Sequence, residues 1–567
     1  MPGISTWTAL RNTAFRRFWV ANLISGSAIA AHGTAAFWML SALGKSESTL
    51  FLSLMATLSS LPFSLFTLPA GAIADLVDRK KILFAVNLWQ AAVAIGLAIL
   101  GVTHLLTAYV ILASAFLFGI GFAFGSPASA SAIAEMVPAE DLPAANNLGG
   151  LQINIGGIVG PALGGILIPL IGANSVFAFN GLGFLFVFLA ILKWKRARRQ
   201  SQLPLESFFE SFTTAIRYVR YTPGIKIILV RSALFSFFIS IVSALMPVVG
   251  LQELHLEPAN LGFLFTSMAI GSVISSIFII PWARSRYSPQ RLTTYADAAL
   301  IVVFLLMATV RWSKMFLLVA ALAGVGWTLS STELWVAGQL AMPDWARGRM
   351  NATIIMVSQA ATALGSLVWG AAAATTGVVY TFLAASGLAI VVMIITRLLA
   401  FRLSIDFTTN LNLEPAPFTI FSNNLIQPHE SQEGPLSITT EFQVDADRRE
   451  EFFDLAGKAR LIYLRNGAYG WHLKEDLARP NSFQVEVIVP SWTQNLRKRE
   501  RVTRNEMEIL DKMYSLHLGP NPPEEWTSLH LDKEVLARSS PQKSGLAQRD
   551  AEGRKGKDLK IVPRARD

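Results

Sequence analysis

Three carboxylates, Glu333, Asp297 and Glu135, lie inside or at the edge of stretches that are otherwise apolar. In a low-dielectric surround a carboxylate is either held as an acid or paired with a cation. Each is therefore a candidate either to take up and release a proton or to fix helix packing through a neighbour. Glu333 comes first because it lies deepest in its stretch, ahead of Pro343, whereas Glu135 stands just before Pro138 and reads somewhat better as a snorkelling surface group than as a proton carrier. Arg231 supplies the opposite charge at a depth similar to that of Asp297. His32 titrates near neutrality when exposed, although a satisfied polar contact suits its position better.

A second set of residues carries geometry. Gly156, Gly160 and Gly164 recur every four positions, so a helix presents them as one face without side chains, against which another backbone can pack. Pro161 removes an amide donor and bends the same helix, and Gly165 extends its small surface. A third set lies between the second and third apolar stretches. There Gly71 permits close approach, Asp75 can accept from the first amides of a facing helix or pair with a cation, and Asp78, Arg79 and Lys80 follow. Such contacts would form and break as a gate closes and opens; alternatively the loop is solvated and its basic residues only set orientation. Asn22, Gln152, Asn154 and Gln359, with Trp38, are polar or aromatic groups within apolar stretches. They either bridge helices or line a cavity suited to a bulky amphipathic solute.

Several chemistries are excluded. The chain has no cysteine, so disulfides and thiolate-bound metals are ruled out. It has no Gly-x4-Gly-Lys-Ser/Thr sequence to cradle ATP and no His/Asp cluster at metal-ligand spacing. No cofactor and no metal are expected. The run Arg497-Lys498-Arg499-Glu500-Arg501 reads as a solvated helix face, and no nucleic-acid partner is expected.

These residues need a membrane to position them. Apolar residues make up 52% of the chain and charged residues 15%, too few charges for an ordinary soluble protein. Twelve stretches near the required length are read at 18–41, 49–74, 82–101, 107–130, 148–171, 173–192, 226–250, 260–282, 292–310, 315–336, 352–376 and 379–400. The first reads as a retained helix, not a cleaved signal. With the N-terminus cytoplasmic, nineteen Lys and Arg fall in inside segments and three in outside loops, which places both termini inside. The connection 193–225 opens with basic residues and continues with Phe208, Phe209, Phe212, Ile216 and Val219 at helical spacing, an amphipathic helix on the inner membrane face. An offset of 205 residues carries Arg79 to Arg284, Pro138 to Pro343, Asn146 to Asn351, Gly160 to Gly365 and Gly165 to Gly370. The reading is a six-helix half at 1–192, a linker at 193–225 and a second half at 226–402.

A polar, proline-containing linker follows at 403–435, then a soluble domain at 436–532 and a charged tail at 533–567 expected to be disordered. Within 436–532 the pattern is strand, helix, two strands, one helix over 492–516 and a last strand, a ferredoxin-like order. The fold class is thus an all-α polytopic membrane protein of twelve transmembrane helices in two halves, with a C-terminal α+β cytoplasmic domain.

The string Gly156–Gly165 resembles the antiporter motif of exporters of the major facilitator superfamily, with Asn147 where the family has an earlier glycine. Residues Gly71–Lys81 resemble that superfamily's loop between spans two and three, with Leu76 and Asp78 replacing the usual arginine and glycine. The stretch Gln339–Arg349 is similar to the transmembrane secretion effector branch, which includes siderophore exporters. Further matches, among them Asn466–Trp471 and His517–Pro523, place the C-terminal domain near antibiotic-biosynthesis-monooxygenase-like modules. The resemblance implies proton-coupled export of a small amphipathic molecule such as a siderophore or drug, in a bacterial inner membrane. It also implies homodimerisation through the C-terminal domain and no enzymatic activity. Two other readings stay open: uptake, and a ligand-binding or oxidising C-terminal module built on Trp471, His472, Trp492 and His517, with the spans as its anchor.

Overall fold

The computed structural model describes residues 7–44, 48–194, 208–222, 224–398, 414 and 434–529. The basic cluster at 195–199, most of the expected linker at 403–435 and the tail at 533–567 lie outside the described residues, as do the side chains of Asp75 and residues 208–212. The chain divides into two compact units, Met1–Leu413 and Glu414–Asp567.

Among its described residues the first unit holds twelve helices long and apolar enough to cross a membrane. Its first six are α1 (Thr13–Gly44), α2 (Ser48–Leu76), α3 (Arg79–Val102), α4 (Ala108–Met136), α5 (Leu142–Ile171) and α6 (Ala173–Leu192). The short α7 (Phe208–Tyr221) follows. The second six are α8 (Ile225–Val248), α9 (Pro258–Ile274) continued through a π turn by α10 (Ile280–Arg284), α11 (Pro289–Thr309), α12 (Ser313–Leu340), α13 (Asp344–Thr376) and α14 (Val378–Leu398). Several helices overrun their apolar stretches at one end. Pro143 starts α5 well before the apolar run at 148, and Pro343 precedes α13. Hydropathy marks the portion in hydrocarbon, whereas proline at a first turn costs no hydrogen bond and lets the helix begin in polar surroundings.

The connections are short, so successive spans alternate in direction. We call the end where α1 begins proximal and the other distal. Helix pairing repeats between the halves: α1 on α5 matches α8 on α13, α2 on α4 matches α9 on α12, and α3 on α6 matches α11 on α14. Across the halves α2 packs on α13 and α5 on α9, the two reciprocal contacts of a pseudo-twofold. The apolar core follows this plan. At the distal end one continuous cluster joins both halves, from Leu40 and Phe177 to Val249, Leu261 and Phe382. Toward the proximal end the described core separates by half: one cluster around Phe15, Phe18, Leu148 and Trp194 in the first, and two in the second, around Tyr218, Ile228, Met342 and Met350 and around Ile280, Ala296 and Leu329.

α7 does more than rest on a membrane surface. Its Thr214, Ala215 and Tyr218 are buried, Tyr218 donates to the Ala341 carbonyl at 3.3 Å, and its ring meets Trp345 edge-on. α7 touches α8 and α13 of its own half and also α2.

The second unit carries β1 (Leu436–Gln443), α15 (Arg449–Asn466), β2 (Gly470–Glu475), β3 (Ser482–Val489), α16 (Trp492–Arg501), α17 (Arg504–Tyr514) and β4 (Glu524–Leu529). The sheet order is β2-β3-β1-β4, antiparallel throughout, so two β-α-β units interleave. Where sequence reading gives one helix over 492–516 there are two. Thr503 accepts from the Glu506 amide while the Glu506 carboxylate accepts from the Thr503 amide, a capping box that starts a new helix. The Arg497–Arg501 run also differs from expectation. Lys498 and Arg501 are buried, so this face turns inward and is not solvated.

The α9–α12 crossing sets a stringent test. A Cβ on Gly324 would strike the Met268 carbonyl, and one on Gly271 the Ala321 carbonyl. Gly324→Ala should cost about 1–3 kcal/mol of overpacking and lower the melting temperature in detergent. Gly157→Ala, whose Cβ would stand 3.6 Å from that of Ala269, should melt like the parent. Equal melting of the two variants would contradict the close crossing.

Candidate functional site

α5 presents two bare faces to two different helices. A Cβ at Gly160 would lie 2.5 Å from the Ser27 carbonyl, one at Gly164 2.7 Å from the Ala31 carbonyl, and one at Gly156 3.3 Å from Gly26. All three face α1. Gly165 instead faces α9, where its Cβ would lie 2.7 Å from the Pro258 carbonyl, and Gly262 of α9 returns the approach against the Pro161 carbonyl. Pro161 thus stands beside a glycine of the opposite half. The repeat reproduces the scheme: Gly365 faces Phe237 and Ser240 of α8 within its half, and Gly370 faces Ser53 of α2 across the halves. Hydroxyls reinforce the crossings between halves, Thr266 donating to the Ile158 carbonyl at 2.9 Å and Thr57 to the Ala363 carbonyl at 3.2 Å.

Two of the three carboxylates sit in ion pairs at the proximal end, one in each half. Glu135 near the end of α4 pairs with Arg79 at the start of α3. Glu333, two turns before the end of α12, pairs with Arg284 at the end of α10, Nε to Oε1 2.8 Å. Arg79 and Arg284 are the residues related by the 205 offset. The deeper carboxylate is the more buried, its side chain 3% exposed against 14% for Glu135.

The rest of the loop at 71–81 has separate tasks. Asp75 lies in the last turns of α2. Asp78 caps α3 by accepting from the Lys80 amide at 2.9 Å. The Lys80 ammonium donates to the Trp194 carbonyl at 2.7 Å and the Leu192 carbonyl at 3.2 Å, closing the last turn of α6. The close approach expected at Gly71 is not made there, since a Cβ on it meets no described atom within 4 Å.

Asp297 is placed differently. It accepts from Ser330 at 3.1 Å, and Arg231 donates to Thr293 at 3.0 Å; all four line a crevice of about 660 Å³ between α8, α11, α12 and α14. A second crevice, of about 540 Å³, lies mid-span between α9 and α12 and is lined by Phe265, Met268, Ser272, Trp327, Thr328 and Ser331. It adjoins the other half, because Phe265 stacks on Phe37 of α1 at 5.6 Å. Of the cavity candidates, Asn22, Trp38, Gln152, Asn154 and Gln359 are all half-buried, and none lines either crevice. Asn22 spends its amide on the Phe18 carbonyl of its own helix. His32 is buried between the rings of Phe118 and Phe177.

In the second unit, Trp471, His472, Trp492 and His517 do not line the described pocket. His517 Nδ1 accepts from the Gln443 amide at 3.0 Å. The pocket there is formed by Tyr463, Lys498, Arg499, Glu525 and apolar neighbours. Burial lowers the Lys498 amine to about 8 and pushes the Tyr463 and Tyr514 phenols up. Lys498 stands over the Tyr463 ring at 5.2 Å.

Residues 4–535 match the transmembrane secretion effector family, a match that runs through both compact units. The multidrug efflux pump Tap of Mycolicibacterium fortuitum is 27% identical over 351 residues, 60% of this chain and 84% of Tap. The enterobactin exporter EntS of Citrobacter koseri is 26% identical over 396 residues, 68% of this chain and 92% of EntS. A solved bacterial homologue of the human lysosomal transporter Spinster, in an inward-facing and occupied conformation, superposes with a TM-score of 0.54 at 13% identity, over 70% of this chain and 99% of that one. At that identity the likeness concerns the fold alone.

Two outcomes follow from the charges. Arg284→Ala leaves a buried carboxylate without its cation, which costs roughly 3–5 kcal/mol in a fully buried pair and less here, because Arg284 is 40% exposed. The variant should melt lower in detergent, and a second change, Glu333→Gln, should recover most of the loss; additive losses would deny the pairing. In the second unit, between pH 8 and the ordinary lysine value of 10.5 the folded state holds Lys498 neutral while the unfolded chain holds it charged. Stability of that unit should therefore rise with pH through this window, until the tyrosines act in the opposite sense. Lys498→Met should be more stable than the parent at pH 7, by about 3 kcal/mol, with the gap closing toward pH 10. A gap independent of pH would exclude a neutralised amine.

Proposed function

The chain belongs to the transmembrane secretion effector family of the major facilitator superfamily, and on that footing we propose that it is a proton-coupled exporter of a small amphipathic molecule, working by alternating access. The transporter character follows from the family. Supporting the cycle is the division of the apolar core, which joins the halves at the distal end and parts at the proximal end. With the N-terminus cytoplasmic, as the charge asymmetry favours, this conformation admits solute from the cytoplasm and is sealed toward the outside.

In this reading the α5 seam is the pivot. Its α1 face keeps the first half rigid, and its α9 face, with the reciprocal Gly370 contact, is where the halves turn on one another. Backbone-to-backbone packing leaves little room for water and so resists proton leak. The solute rests against Trp327, Phe265 and Met268, with Ser272, Thr328 and Ser331 offering hydrogen bonds, a mixture that suits an amphipathic molecule. Glu333 carries the proton: protonation frees Arg284 and loosens the proximal end of the second half, and deprotonation restores the pair. Asp75 latches the proximal gate when it closes. Among the described residues β2 and β4 are the edge strands of the second unit's sheet, and that unit serves as a pairing surface for a second copy.

Inside-out vesicles holding a pH-sensitive dye and an imposed proton gradient test this. Adding siderophores and lipophilic drugs should dissipate the gradient only when the protein and a substrate are both present. Asp75→Asn should slow that dissipation while membrane insertion is kept. A parent-like rate in Asp75→Asn would remove the latch; absence of any response across a broad panel would remove proton coupling.

A further inference from the structure

The two halves differ most where α6 and α14 should be equivalent. Burial along α14 follows that along α6 at the 205 offset over the distal portion: Val176, Phe177 and Asn180 correspond to Thr381, Phe382 and Ala385, and all six are buried. Over the proximal portion the match fails. Phe184, Val187 and Ile191 of α6 are buried to within 3% of full burial, whereas their counterparts Ala389, Val392 and Thr396 are half-buried and line the 660 Å³ crevice. In the first half Gly183 of α6 would bring a Cβ to 3.2 Å from Ser25 of α1; in the second, α8 and α14 meet only sparsely. The crevice is therefore written into the sequence: a phenylalanine has become alanine, and an isoleucine has become threonine, at repeat-equivalent sites.

What lines the space is not what an idle packing defect would hold. Arg231 and Asp297 both border it and attract one another across it without closing to an ion pair; each holds one hydroxyl, Thr293 and Ser330 respectively. Two opposite charges facing one gap within a membrane span are costly unless something between them completes their bonding. Arg231, Thr293 and Thr396 lie toward the proximal end, while Phe238 and Phe304 line the deeper part, Phe238 about 10 Å further along α8 by helix rise. The polarity runs from charged at the membrane edge to apolar at depth, as along a lipid molecule.

We propose that the crevice between α8, α11, α12 and α14 binds a zwitterionic amphiphile, its anionic group on Arg231, its ammonium on Asp297 and its hydrocarbon chain along Phe238 and Phe304. This site lies within one half, apart from the mid-span crevice assigned to the transported solute, and its occupancy does not depend on transport. The occupant is drawn from the bilayer, since the slot continues as an apolar wall for about 10 Å beyond Arg231, which a free head group would leave empty.

Native mass spectrometry of the purified full chain in maltoside detergent tests this, titrated with oleoyl lysophosphatidylethanolamine. The two comparators are oleoyl lysophosphatidylglycerol, which lacks the ammonium, and phosphoethanolamine, which lacks the chain. The ethanolamine lysolipid should be retained, the glycerol lysolipid about tenfold less, the size of one lost charge-assisted contact, and phosphoethanolamine less than that again, because it gives up the burial of a whole chain. Arg231→Ala should reduce retention of the ethanolamine lysolipid to the level of the glycerol lysolipid. Ala389→Phe, which copies Phe184 of the first half, should abolish retention; Thr396→Ile, which copies Ile191, is the second filling variant should the first melt lower than the parent. Retention of the lysolipid by the filled variants, equal retention of the glycerol lysolipid, or equal retention of phosphoethanolamine alone would each overturn the proposal.

Discussion

The structure depends on the approach of helix backbones to one another without intervening side chains. In a bilayer the lipid tails are as apolar as leucine, so helices gain nothing from hiding apolar surface and must associate through close van der Waals packing. α5 is the helix on which this tells most. It presents Gly156, Gly160 and Gly164 to α1 and Gly165 to α9, so one helix is fastened to its own half and to the opposite half at the same time. The reciprocal pair, Gly365 toward α8 and Gly370 toward α2, makes α13 its counterpart. Removal of one seam between the halves would leave its reciprocal, with the distal apolar cluster and a few hydroxyl contacts, to hold them together.

Electrostatics is organised half by half. Each half compensates a proximal carboxylate with an arginine from the turn that follows its second span, Arg79 with Glu135 and Arg284 with Glu333. Neither pair crosses to the other half, so the halves can separate at that end without stranding a charge. Lys80 adds a fixed closure within the first half by holding the last carbonyls of α6. The arrangement leaves the distal seal to packing and the proximal end to charge.

Much of this was legible in the sequence because hydropathy and spacing are local. Twelve spans and the existence of α7 follow from patterns within windows of a few turns, although the packing of α7 through Thr214, Ala215 and Tyr218 does not, and helices such as α5 and α13 extend past those windows where proline starts them in polar surroundings. The bare face of α5 was visible from its four-residue period. Partners were not visible. Nothing in the neighbourhood of Glu333 indicates that Arg284, on another helix, will meet it, and the open surroundings of Gly71 depend on how far the halves stand apart. The four polar cavity candidates and Trp38 stand out by residue type, yet the mid-span crevice draws its hydroxyls from Ser272, Thr328 and Ser331, residues common in any membrane helix. Lys498 was hidden in a basic run whose charges suggest solvent, and only its phase on α16 turns it inward.

The divided proximal core also bears on how the chain is made. Every residue of the cluster around Phe15, Leu148 and Trp194 belongs to the first 194 positions, so that end of the first half can reach its final packing while the second half is still being synthesised. The distal cluster cannot, because Val249, Leu261 and Phe382 complete it. During biogenesis the first half therefore waits in the bilayer with one end finished and the other facing lipid, and its bare α5 face toward α9 is what the arriving helices find.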